Sequence, residues 1–161
     1  MEQAPKWLSA PERRAWVTLI DVTTAVMATL DLELRAEHGL SIGDYEVLAR
    51  LSEAPGHSVR MTDLAAHLKL SPSGITRRID GLVRDGLVER QPCPSDRRGS
   101  NAVLTEKGFL RLKEAAPTHV RGVREHFVDQ LSDRQLADIA SALSAVVLDR
   151  DAAAGGCDEG K

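Results

Sequence analysis

The stretch from Ser71 to Thr105 constrains this chain most, because its punctuation leaves few alternatives to a helix followed by a β-hairpin. Ser71, Pro72 and Ser73 make a strong helix start, since serine accepts orphan amide hydrogens at an N-cap and proline suits the first helical position. The helix they open is predicted to run to about Asp85. On a 3.6-residue wheel Ile75, Ile79 and Leu82 share one face, whereas Ser73, Arg77, Asp80 and Arg84 fall opposite, with Thr76 at the flank. Gly86 reads as a left-handed residue just past the helix, and Leu87 to Gln91 as a short strand with Val88 facing inward. Pro92 to Gly99 carries two prolines, a glycine, Asp96, Arg97 and Arg98, which predicts a turn with a basic tip; Asn101 to Leu104 is the return strand.

Just upstream, Thr62 is placed to cap a short helix through Leu68, with Leu64, Ala65 and Leu68 apolar. Only Lys69 and Leu70 separate it from Ser71, which is the spacing of a helix-turn-helix. His57 to Arg60 can add a short strand to the hairpin.

Taken together, Thr62 to Leu70, Ser71 to Arg90, and Asp96, Arg97, Arg98 followed by Val103, Leu104, Thr105, Glu106, Lys107 and Gly108 resemble the winged helix of the MarR family of bacterial transcription regulators. The wing signature of that family is Asp, any residue, Arg, then a short strand ending in Leu-Thr, with Gly three residues later. Here Asp96, Arg98, Leu104, Thr105 and Gly108 fill those places, and flanking helices of suitable length extend the likeness over about Ser9 to Leu148. The resemblance implies a mostly α fold with a small β-wing, a winged helix-turn-helix carrying long N- and C-terminal dimerisation helices. It also implies double-stranded DNA as the partner, a wing in which Asp96 orients the arginine through a salt bridge, and no cofactor.

Bulk properties agree. At 161 residues the chain suits one domain, or one lobe plus a pairing element. No apolar run reads as long enough to span a bilayer and no signal-peptide core opens the chain, so no membrane partner and a cytoplasmic location are expected. The net charge of −3 hides a segregation: Arg60 to Arg111 holds ten Lys/Arg against six Asp/Glu, a balance of +4, while the remainder holds eleven against eighteen, −7. The basic part coincides with the proposed reading head.

In chain order, residues 1–8 are expected to form a flexible arm and 9–37 a dimerisation helix opened by the capping box of Ser9 and Glu12. Trp16, Ile20, Thr23, Met27, Leu30 and Leu34 stripe that helix. Ser41 caps the next helix, with Leu40 and Tyr45 as a hydrophobic staple and Tyr45, Leu48 and Leu51 inward. Residues 41–104 make the DNA-binding lobe and 105–150 further dimerisation helices. Thr105 caps the first of these, striped by Phe109, Leu112, Ala116, Val120, Val123 and Phe127, with a kink expected at Lys113 to Pro117. Ser132 and Gln135 box the last helix, with Leu131 and Leu136 as staple and Leu136, Ile139, Leu143 and Val146 as its apolar face; residues 151–161 read as a disordered tail. These narrow seams would stay wet in a monomer, so a homodimer is expected, its reading helices about 34 Å apart over an inverted-repeat operator.

Ser73, Thr76 and Arg77 are the candidates for base edges, because short hydroxyls and a forked guanidinium near a helix N-terminus can enter a major groove. Ser71 with its neighbouring amides would grip a phosphate, Arg78 would reach the DNA backbone, and Arg84 lies on the same outer face. Arg97 and Arg98 would enter the adjacent minor groove or hold phosphate. A solvated helix face and a soluble turn are the bland alternatives. The resemblance implies a repressor, and regulators of this family respond to small organic anions or phenols in a crevice between dimer lobe and reading head. Trp16 and Tyr45 are the aromatic residues best placed for it, although both lie on apolar stripes that favour core packing.

Other chemistries are weaker. His119 and His126 share a helical face near Glu125 and Asp129, which would suit zinc, but unpaired surface histidines are far commoner. Cys93 reads as exposed enough to oxidise, yet no resolving partner lies near it in sequence, and Cys157 offers no disulfide framework. A winged helix can also serve as a protein-interaction module, though that use does not require arginines at both groove-facing positions. An enzyme is disfavoured: no phosphate loop, nucleophile elbow or convergent acid–base set is present.

Overall fold

A computed structural model describes residues 6–93 and 96–146, and of residues 96–98 the backbone only. Among these residues six α-helices and three strands follow one another: α1 (Ala10–His38), α2 (Ile42–Glu53), β1 (Ser58–Arg60), α3 (Met61–His67), α4 (Pro72–Arg84), β2 (Val88–Cys93), β3 (Asp96–Leu104), α5 (Glu106–His126) and α6 (Asp133–Ser144). The mostly helical winged helix-turn-helix expected from the sequence is what the chain forms.

Local signals account for most boundaries. Ser9 and Glu12 close the capping box of α1, which ends on Gly39 in the left-handed conformation at φ 64°. Ser41 caps α2, Thr105 caps α5 by accepting from the Gly108 amide, and Ser132 with Gln135 boxes α6. Thr62 does not cap α3. That helix starts directly from the end of β1 with Arg60 at its N-cap and no side-chain cap, while the Thr62 hydroxyl donates to Asp63 instead. Pairing of Arg60 with Asn101 in the sheet sets the start that the sequence placed two residues later.

The sheet runs β1-β3-β2, antiparallel throughout, with Ala102 of the central strand opposite both Val59 and Arg90. Its hairpin is tighter than expected. Pairing continues to Cys93 opposite Asp96, so much of the predicted Pro92–Gly99 turn is strand, with the register shifting between Pro92 and Cys93. Pro92 is tolerated because β2 lies at an edge of the sheet, where a missing amide donor breaks no second ladder.

One apolar core joins the lobe, with Leu48 and Leu51 of α2, Leu64 of α3, Ile79 of α4 and Val88 of β2 almost fully buried, and Leu34 of α1 and Ala115 of α5 closing it from outside. Helix α5 crosses α1 along the second half of α1. There the Thr118 hydroxyl donates to Glu37 at 2.8 Å and contacts His38 at 2.9 Å, Arg121 pairs with Glu37, and His126 Nε2 meets Glu33 at 2.6 Å. Helix α5 runs as one helix through Pro117, with Ala115 and Thr118 buried on either side of it.

The first half of α1 and all of α6 are another matter. Trp16 is 57% exposed, Ile20 44% and Leu143 45%, and α6 has no buried residue. Contrary to the sequence expectation, α1 is by length and composition long and apolar enough to cross a bilayer. Its second half instead buries Leu30 and Leu34 inside the fold. The proposed arm is described only from residue 6, where Trp7 is exposed, and the proposed tail with Cys157 lies outside the described residues.

Candidate nucleic-acid interface

Helix α4 is amphipathic in a way that leaves one side free. Ile75, Ile79 and Leu82 are buried, and Ser73, Thr76, Arg77, Asp80 and Arg84 are exposed, as the helical wheel requires. Ser71 caps the helix, its hydroxyl accepting from the Gly74 amide at 3.1 Å and lying 3.2 Å from the Ser73 hydroxyl. Lys69, in the left-handed region at φ 52°, turns the chain between α3 and α4, and the Leu70 amide donates back to the Ala65 carbonyl at 2.9 Å. This turn presents the N-terminus of α4, with its free amides and positive dipole end, at the surface.

Arg77 projects from the exposed face with no hydrogen bond or ion pair to any described residue, and Arg84 likewise stands clear in the last turn. Asp80 does not stand alone. Arg90 of β2 pairs with Asp80 at 2.9 Å and donates to the Thr76 carbonyl at 3.3 Å, so the hairpin braces the outer side of α4. The sequence reading missed Arg90 because nothing but its charge, opposite to that of Asp80, links the two before the strand folds back. Arg78 departs from expectation: its guanidinium turns into the lobe, donating to Asp44 Oδ1 at 3.2 Å and Ser41 Oγ at 3.4 Å, rather than outward toward a phosphate.

The wing root is held by the end of α4 and the start of α5. Three successive carbonyls, Asp85, Gly86 and Leu87, accept respectively from Lys107 Nζ at 2.6 Å, Thr105 Oγ1 at 2.8 Å and the Thr105 amide at 3.1 Å. Gly108 completes the joint, since a Cβ there would overlap the Leu87 carbonyl and lie 2.8 Å from Leu104. The Leu-Thr-x-x-Gly run of the wing signature is therefore a docking joint. Asp96, Arg97 and Arg98 have their backbone in β3, and their side chains lie outside the described residues. Cys93 is buried, 7% exposed, which corrects its reading as an exposed thiol.

A cavity of about 370 Å³ separates α1 and α5 from α2 and α3, lined among others by Met27, Tyr45, Arg50, His67 and His119. Tyr45 and His119 stack with ring centroids 4.4 Å apart. Burial pushes the Tyr45 hydroxyl up and the His119 imidazole down, and His119 Nδ1 is buried without a partner. Trp16, expected at the same crevice or in the core, is in neither; it lies on the exposed half of α1. His119 and His126 are engaged separately, on Tyr45 and on Glu33, and among the described residues no three His, Cys, Asp or Glu side chains are placed to share a metal.

The MarR family model matches residues 40–100, the segment from the cap of α2 into β3. The chain is 29% identical over 143 residues to the HTH-type transcriptional repressor YetL of Bacillus subtilis (strain 168), covering 85% of each protein. Among solved structures, AbsC, a MarR family transcriptional regulator from Streptomyces coelicolor, superposes with a TM-score of 0.81 at 39% identity over 88% of this chain and 95% of that one. Sco3205 of the same organism, a MarR family regulator solved in complex with DNA, gives 0.83 at 34% identity, over 90% and 91%.

Proposed function

Because this chain belongs to the MarR family of transcriptional regulators, we propose that it acts in the cytoplasm as a homodimeric repressor that binds an inverted-repeat operator and is released by a small organic ligand. The observation that carries the reading is the free face of α4: Ser73, Thr76 and Arg77 exposed together beside a capped N-terminus, on a helix whose other face is locked in the core. Such a face enters a major groove, with Arg77 forking onto a guanine edge and Ser71 and the first amides of α4 on a phosphate. Arg84 reaches the flanking backbone, and Arg97 and Arg98 at the hairpin enter the neighbouring minor groove, with Asp96 orienting Arg98. Arg78 supports the lobe from inside.

Dimerisation is supported by what α1 and α6 leave uncovered. Trp16, Val17 and Ile20 on α1, Leu143 on α6 and Val146 just beyond it are large apolar side chains, each at least 44% exposed. Pairing of two copies through these helices would set their reading helices about one DNA turn apart. The ligand reading rests on the Tyr45–His119 cavity, where two stacked rings and an unpartnered ring nitrogen suit a phenol or an organic anion.

The test is selection of bound duplexes from a random pool, followed by titration of the enriched sequence at two salt concentrations. An inverted repeat with half-sites one turn apart, bound more weakly at higher salt, is the expected result. Failure to enrich any sequence with a folded dimer would overturn the reading in favour of a protein partner.

A further inference from the structure

Arg78 neighbours the base-facing Arg77 in sequence but faces the opposite way in the fold. Its guanidinium lies across Gly43 in the first turn of α2. A Cβ at Gly43 would lie 2.5 Å from Cζ and 2.7 Å from Nη2 and would overlap Nη1, so only glycine leaves this seat open. Asp44 divides its carboxylate between two partners: Oδ2 accepts from the Ser41 hydroxyl at 2.5 Å, and Oδ1 accepts from Arg78. The same turn of α2 is held from the other side, where the Ile42 amide donates to Asp31 Oδ1 of α1 at 2.8 Å and Asp31 Oδ2 accepts from Arg35 at 2.6 Å. Bonds from Arg35 and the Ile42 amide hold the Asp31 carboxyl below the usual carboxylate range. One helical turn thus touches both the long helix α1 and the reading helix α4.

Against the core α4 packs through Ile75, Ile79 and Leu82, whose apolar packing is non-directional, and Arg90 ties its outer side to β2 but not to α1 or α2. Charge-assisted hydrogen bonds are directional and fix an angle. We propose that Gly43, Asp44 and Asp31 form a seat that holds Arg78, and with it α4, at a set angle to α1, so that these positioning residues decide which half-site spacing the protein accepts. This rests on the operator-binding reading above.

The experiment compares wild type with Gly43→Ala, Asp44→Asn and Arg78→Ala on the selected operator, on the same operator with one base pair added or removed between half-sites, and at several salt concentrations. Gly43→Ala displaces only the end of a flexible side chain, so it empties the seat while leaving the charge of Arg78 in place. The expected result is that each variant loses its preference for the native spacing by about five- to tenfold with an unchanged salt slope, and that Gly43→Ala adds nothing once Arg78 is alanine. Dimer mass and far-UV circular dichroism are measured alongside, and should Gly43→Ala not fold, Asp44→Asn reads the same quantity. A salt slope lowered by about one for Arg78→Ala, with Gly43→Ala binding as wild type, would make Arg78 a phosphate contact and overturn the proposal. Equal weakening at every spacing would overturn it too, leaving operator binding intact, whereas a wild type that selects no operator removes both.

Discussion

Arg77 and Arg98 carry the same charge on different scaffolds, and their loss should read differently. Arg77 stands on a rigid helix face with no partner among the described residues, so Arg77→Ala is expected to relax preference at one base position, whereas Arg98→Ala should weaken binding to all sequences by about 1–3 kcal/mol. Titration of each variant against single-base operator variants distinguishes them; two unchanged proteins would contradict both assignments. Gly108 is a residue of another kind. The atom that a Cβ would strike is a backbone carbonyl, which cannot swing aside, so Gly108→Ala should cost about 1–3 kcal/mol in urea unfolding. His119 gives a pH signature. Burial lowers its pKa from the ordinary 6.5, so between that value and its folded one the unfolded chain binds the proton and the folded chain does not. Its contribution is intact above 6.5 and is lost as pH falls below it; His119→Gln should therefore flatten the melting temperature over that window. A variant with the wild-type slope would refute this.

At the scale of elements, α4 is the helix whose ends matter most. Ser71 satisfies an amide at the end proposed to meet DNA, so Ser71→Ala should destabilise the fold by about 1 kcal/mol and weaken operator binding in parallel. A stability loss with no change in affinity would argue against phosphate contact at this end. The hairpin belongs to the same unit through Arg90, which ties β2 to Thr76 and Asp80. Helix α5 shows that an internal proline need not end a helix. Pro117 removes one donor, but the side chains around it are packed against α1 and the helix passes through. The α1–α5 seam also carries Glu37, whose carboxyl the Thr118 hydroxyl and then Arg121 hold below its ordinary range.

For the whole molecule, the uncovered faces of α1 and α6 set the expectation. Ile20→Glu places a charge in the proposed dimer seam, so it should halve the mass seen by light scattering and abolish binding to a two-half-site operator while leaving the lobe folded. A variant that remains dimeric would move the interface elsewhere. The segregation of charge belongs to this scale as well: the +4 segment, Arg60 to Arg111, runs from the end of β1 through α4 and the hairpin into the start of α5, and the remainder of the chain carries −7.

Caps, apolar periods and the wing signature are short-range features, and from them the sequence by itself determined the helix-turn-helix, the hairpin and the free face of Ser73, Thr76 and Arg77. Each depends on residues within a turn or two, where backbone geometry alone decides which side chains share a face. What only the tertiary structure decided depends on residues far apart in the chain. Arg78 and Asp44 meet only because α2 and α4 pack, Arg90 reaches Asp80 only once β2 folds back, and Cys93 is buried only because the hairpin pairs to its tip. Trp16 and Tyr45 looked alike as aromatic positions on apolar stripes, yet one is exposed and the other stacks on His119. Periodicity shows that a face is apolar; which surface covers it is fixed by the distant chain that packs there.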